Sequence, residues 1–139
     1  TLIAINPARQ FSQANNTKRS SDVNAVLNAV GQYAADNKGA LPTNLAAVAV
    51  DVEVQLGTGD AIACPTNAGA KCTAITADCV DLMTGSQNVA KYLASMPIDP
   101  DTTLGTSVKT GYSVKRDTNG IVTVKACHTD AATAIQVSR

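Results

Sequence analysis

Residues 6–39, NPARQFSQANNTKRSSDVNAVLNAVGQYAADNKG, decide the fold. Asn6 can cap a helix, and Pro7 is tolerated at the first helical position, where a backbone N–H would have no partner anyway. Nothing interrupts the pattern until Asn37-Lys38-Gly39, where glycine can take the left-handed stop conformation. The spacing predicts one helix of about thirty residues, longer than the usual eleven or twelve. Its two halves are unlike. Val23, Val26, Leu27, Val30, Tyr33 and Ala34 fall within an arc of about 120°, a stripe suited to docking on a core. Ser12 to Asp22 offers only Ala14 as an apolar residue, so that stretch can bury no stripe against its own domain. Half the helix is expected to dock and half to project. A polar stretch of about three turns is marginal alone, so its continuation or neighbouring molecules must hold it. Leu2-Ile3-Ala4-Ile5 points to a hydrophobic continuation upstream, although this run is far short of the ~20 residues that cross a bilayer.

Beyond the helix, Thr43 or Asn44 can cap a short second helix through Leu45, Ala46 and Val48. Asp51 to Leu56 alternates as a strand with Val52, Val54 and Leu56 on one face. Residues 60–79 hold three cysteines in a polar, loop-like stretch. Gly85-Ser86 can open a third helix, Gln87 to Ala94, ended by Pro97 and Pro100. The last third reads as β. Gly111 to Arg116 and Ile121 to Cys127 alternate around Asp117-Thr118-Asn119-Gly120, a hairpin turn in which Asn-Gly supplies positive φ. Thr133 to Val137 is expected to close a three-stranded antiparallel sheet. The fold class is therefore α+β: a long N-terminal helix (1–38), an irregular disulfide-containing middle (39–108) and a small antiparallel sheet (109–139), in a single domain. The 139 residues suffice for one core.

Eleven basic residues balance eleven acidic ones, so bulk charge favours neither nucleic acid nor an anionic membrane. The distribution is uneven. Residues 1–38 carry a net +2, residues 39–108 a net −5, and residues 109–139 a net +3. An acidic middle between basic ends can attract copies of the same molecule. Cys64, Cys72, Cys79 and Cys127 form an even set without C-x-x-C spacing, which argues against tetrahedral zinc and for two disulfides in an oxidising compartment. Three pairings are open. Cys64–Cys72 with Cys79–Cys127 is preferred, because the second bond would fasten the middle to the C-terminal strands.

Catalytic chemistry needs a nucleophile with a base, a metal site or placed acids. The only histidine, His128, lies beside a disulfide cysteine and reads as a surface-loop residue, so no enzyme and no catalytic residues are expected. Lys18-Arg19 and Lys115-Arg116 lack interleaved aromatics, which leaves direct nucleic-acid binding without support. Asp99, Asp101 and Asp117 could collect a calcium ion, but their spacing is not an EF-hand and Asp99-Pro100-Asp101 reads as a turn. No cofactor is expected otherwise. Tyr33, Tyr92 and Tyr112 read as core residues, each able to reach a polar partner at the core's edge.

Ala4-Ile5-Asn6-Pro7-Ala8-Arg9-Gln10-Phe11, Lys18-Arg19-Ser20-Ser21-Asp22-Val23, Leu27-Asn28-Ala29-Val30 and Tyr33-Ala34-Ala35-Asp36-Asn37-Lys38-Gly39-Ala40-Leu41-Pro42 together resemble the N-terminal helix of bacterial type IV pilins and pseudopilins. Tyr92-Leu93 with Met96-Pro97-Ile98-Asp99-Pro100, then Gly111-Tyr112-Ser113-Val114 and Gly120-Ile121-Val122-Thr123-Val124, resemble the family's P-x-D-P loop and the hairpin after it. Residues 43–85 match nothing in the family. The resemblance implies a precursor cut by a prepilin peptidase. Its apolar N-terminal helix anchors the subunit in the membrane before assembly and packs in the filament core afterwards. The processing site, that half-helix and its glutamate are absent from this sequence, and residues 1–5 read as the end of the apolar segment. Some pseudopilins of this kind bind calcium near C-terminal loops.

The expected function is a structural subunit of a pilus-like filament at the cell surface, serving adhesion, motility or DNA uptake. Its partners are copies of itself and an assembly machinery. Phe11, Asn15, Lys18, Arg19 and Asp22 are the expected filament-interface residues, and Val23, Val26, Leu27, Val30 and Tyr33 the docking core. Charge reversal at Lys18 and Arg19 is expected to weaken fibres without altering the melting of the monomer. The alternative is a pseudopilin of a type II secretion or competence apparatus; a free-standing binding module on a helical stalk is a third reading.

Overall fold

The computed structural model describes residues 7–58, 79–103, 105–129 and 135–139. Helix α1 runs Pro7–Asp36, as Pro7 and the Asn37-Lys38-Gly39 stop lead one to expect; the expected cap, Asn6, lies outside the described residues. Its end is a left-handed stop spread over two residues, Lys38 at φ 57 and Gly39 at φ 87. The Gly39 N–H reaches the Ala34 carbonyl (2.7 Å), and the Asn37 side-chain amide donates to the Tyr33 carbonyl (2.8 Å). Carbonyls that a helix end leaves without partners are thereby satisfied. Helix α2 is a single turn, Thr43–Ala46, preceded by Pro42 with no side-chain cap. Asn44, expected as a cap, instead donates to the carbonyls of Asp81 (2.7 Å) and Thr84 (3.3 Å).

Among the described residues five strands follow: β1 Glu53–Leu56, β2 Cys79–Val80, β3 Tyr112–Arg116, β4 Val122–Ala126 and β5 Gln136–Ser138. They form one mixed sheet in the order β2-β1-β3-β4-β5, with β2 parallel to β1 and the other pairs antiparallel. The expected three-stranded sheet is thus its β3-β4-β5 half, widened by two strands from the middle of the chain; of the last strand expected over Thr133 to Val137, residues 133–134 lie outside the described residues and β5 begins at Gln136. Strand β4 alternates as its sequence dictates, with Val122, Val124 and Ala126 buried and Thr123 and Lys125 half-buried. At the hairpin only Gly120 takes positive φ (82°). Asn119 does not need it, because Asp117 Oδ1 accepts the N–H groups of both Asn119 and Ile121 (2.8 Å each) and shapes the turn.

Strand β1 buries both faces, which alternation alone does not reveal. Val54 and Leu56 face the core, while Glu53 and Gln55 are covered on the far side. Glu53 accepts from Ser113 Oγ (2.8 Å) and pairs with Lys125 Nζ (3.0 Å); Gln55 Oε1 accepts the Gly111 N–H (3.1 Å). The helix expected over Gln87 to Ala94 does not form. Val89 N–H bonds back to Leu82 O (2.9 Å), and Asn88 Oδ1 takes the Ala90 N–H (3.0 Å), so only one turn closes on Val89 O. These local alternatives compete with a helix ladder.

The core lies between α1 and the sheet. Val23, Val26, Leu27, Val30 and Tyr33 pack with Leu45, Leu56, Leu82, Val89, Tyr112, Val114 and Val124. Among the described residues no helix is long and apolar enough to cross a membrane.

Candidate functional site

The helix changes character at Arg19. From Val23 to Tyr33 the expected docking residues are all buried, at 4% exposure or less. From Pro7 to Lys18 none is buried; Ser12, Asn15 and Asn16 are half-covered and the others are exposed. Phe11, the chain's only phenylalanine, is 71% exposed. About three turns of helix therefore stand clear of the molecule's own core, as their composition implies.

What divides the two halves is polar. Arg19 and Asp99 have fully buried side chains joined by a bidentate ion pair, Nε to Oδ2 and Nη2 to Oδ1, each 2.9 Å. Planar guanidinium and carboxylate match in this two-bond geometry, which is the strong form of a charged hydrogen bond. Arg19 Nη1 also donates to Asn16 Oδ1 (3.1 Å), and Asp99 Oδ1 accepts the Asp101 N–H (2.8 Å). Asp99 is held by its own backbone, whose N–H reaches Thr110 O (2.8 Å). Two glycines allow this close approach. A Cβ at Gly105 would lie 2.7 Å from Asp99 N, and one at Gly111, where φ is +83°, would lie 2.9 Å from Asp99 Cβ.

One turn further along, Asp22 accepts the Tyr112 hydroxyl (2.6 Å) and Lys18 Nζ (2.8 and 2.9 Å). Burial first, then the Asp22 carboxylate, push the Tyr112 phenol far above its ordinary range. Arg19 and Asp22 thus extend the line of Val26, Val30 and Tyr33 with charged residues, each matched by a partner from the P-x-D-P loop or β3.

The expected interface is corrected accordingly. Phe11 and Lys18 are exposed and Asn15 is half-covered, but Arg19 and Asp22 are buried within the molecule and present nothing to a neighbour. Reversing Arg19 would strike the fold itself, against the expectation that the monomer would melt unchanged. Each of the three aspartates considered for calcium has partners within the molecule. Asp99 is committed to Arg19, Asp117 to the hairpin turn, and Asp101 to Thr103, whose hydroxyl (2.6 Å) and N–H (3.0 Å) hold the Asp101 carboxyl below its usual range. Among the described residues no group of three metal-ligating side chains forms.

Each tyrosine does reach a polar partner: Tyr33 to Gln87 Oε1 (2.8 Å), Tyr92 to Asp36, and Tyr112 to Asp22. Neither Cys79 nor Cys127 is a free thiol; Cys64 and Cys72 lie outside the described residues. The preferred Cys79–Cys127 bond is incompatible with the register. Cys79 lies opposite Gln55, Gln55 opposite Ser113 and Ser113 opposite Lys125. That places Cys79 three strand spacings, about 14 Å, from β4, which Cys127 directly follows, and a disulfide needs Cα atoms within about 7 Å.

Comparisons with protein-family models, with curated proteins and with solved structures find no match for this chain.

Proposed function

We propose that this chain is the globular portion of a type IV pilin-like filament subunit, acting as a structural protein that assembles with copies of itself. One observation carries the reading: α1 is continuous from Pro7 to Asp36, yet only the part from Arg19 onward is covered by its own molecule. A solitary soluble domain gains nothing from three polar turns that bury no stripe, because such a stretch depends on packing for its helical order. A subunit whose helix is shared with its neighbours gains its contact surface from them. The ordered family-like motifs at both ends of the chain support the same conclusion, as does the absence of free thiols at Cys79 and Cys127, which suits an exported protein at the cell surface.

The test is expression of the full-length precursor with its assembly machinery, followed by shearing and electron microscopy. Abundant sheared fibres containing this chain are the expected result. Fibres confined to the envelope would move the subunit to a short pseudopilus of a secretion or competence apparatus. A subunit exported, folded and never found in fibres would contradict the reading.

A further inference from the structure

Self-assembly leaves open which surface of the neighbour receives the exposed helix, and the chain offers a candidate. Phe11 is the large apolar side chain most exposed among the described residues. Elsewhere lies an apolar hollow of 390 Å³ bordered by Gly57, Met83, Met96, Ile98 and Thr110, with Asp81 at its polar side. Ile98 remains 38% exposed there. Resting on the filament reading, we propose that Phe11 of one copy inserts into the Met83–Met96–Ile98 hollow of the next.

Size, chemistry and charge agree. The volume falls within the range of ligand-holding pockets and readily admits one phenyl ring. Methionine side chains adapt their shape and make favourable sulfur contacts at aromatic rings. Arg9 and Lys18 lie on the same exposed helical stretch as Phe11, and the carboxylate-bearing Asp81 lines the hollow. Such complementarity steers docking and fixes register.

The contact is not made within one molecule. Phe11 lies about 12 Å along the helix beyond Arg19, and its ring is exposed rather than seated. Knob and hollow are different surfaces of one chain, so the contact is heterologous. Unless the rotation happens to close, repeating it builds an open helical array rather than a dimer.

The experiment replaces Phe11 by the photo-cross-linker p-benzoylphenylalanine in the full-length subunit and irradiates assembled fibres. Mass spectrometry is expected to find the cross-link between copies within residues 83–98. Alongside it, Phe11→Ser and Ile98→Lys are each expected to lower fibre yield at least tenfold. The purified chains should melt within about 2 °C of the parent, as substitutions at exposed or half-exposed positions generally do. The double variant should be no worse than the poorer single one, because both remove one shared contact. Cross-links from position 11 to any other surface, or fibre yields unchanged in both variants, would overturn this inference and leave the filament reading standing. Failure of the parent subunit to form fibres would remove both.

Discussion

The two halves of α1 share one backbone and one helical repeat, yet they are held by different means. From Val23 to Tyr33 the helix is kept by apolar burial against β4 and β5. From Pro7 to Lys18 no side chain is buried, and only Ser12, Asn15 and Asn16 are half-covered. Between them stands a joint made of charge: Arg19 with Asp99, and Asp22 with Tyr112 and Lys18. A hydrophobic stripe fixes which face of a helix docks but tolerates sliding, whereas a bidentate pair fixes one register. Buried ion pairs are weak devices for stability and better attested as devices for specificity. Here the specificity is the point at which the helix leaves the head.

The sharpest way to break this contrast is to remove one partner of the joint. Arg19→Ala leaves Asp99 charged and buried, and should cost about 3–5 kcal/mol. At about 2–4 °C per kcal/mol for a chain near this size, the thermal midpoint should fall by roughly 6–20 °C. A drop below about 2 °C would show that the joint is not buried in solution. Replacing both partners, Arg19→Met with Asp99→Leu, should recover most of that loss while lowering fibre yield, because packing is restored and register is not. Recovery of both stability and fibres would show that the pair does not set register.

Gly111→Ala probes the same joint through the backbone. Strain at φ +83° and the 2.9 Å approach to Asp99 Cβ should together cost about 2 kcal/mol, read by chemical denaturation. Tyr112→Phe is milder, at about 1–2 kcal/mol near neutral pH for the lost bond to Asp22. It carries a pH signature of known sign. Because the phenol's pKa is raised in the folded protein above its ordinary 10.0, the unfolded chain loses this proton first. Stability is therefore intact below pH 10.0 and declines as pH rises beyond it. The Tyr112→Phe variant should show a shallower alkaline decline. Smallest of all, Lys18→Ala should change stability by no more than about 0.5 kcal/mol, since its ion pair is half in solvent.

How much could be read in advance follows from the same contrast. The span of α1, its stop at Lys38-Gly39 and its docking stripe are local facts written in caps and periodicity, and the structure has them. The polarity break at Ser12 to Asp22 was legible too, as a stretch without a stripe. Its inner limit was not: Arg19 and Asp22 are charged, and only a partner 80 or 90 residues away makes them core. The clue available was their alignment with Val26, Val30 and Tyr33, together with an aspartate between prolines at residue 99. Strand β2 escaped notice because two residues carry no period, and Glu53 and Gln55 because β1 is buried on both faces. Residues 87–94 carry an amphipathic spacing, but Asn88 and the Val89–Leu82 bond take the backbone elsewhere. The disulfide pairing depends on strand order, which cysteine spacing does not encode.

Hydrogen exchange along α1, in the isolated chain and in assembled fibres, tests the division most directly. Amides from 23 to 36 should be protected in both states. Those from 8 to 18 should exchange rapidly in the isolated chain, as helix held by few contacts does, and become protected in fibres. Equal protection of 8–18 and 23–36 in the isolated chain, or no gain at 8–18 on assembly, would contradict it.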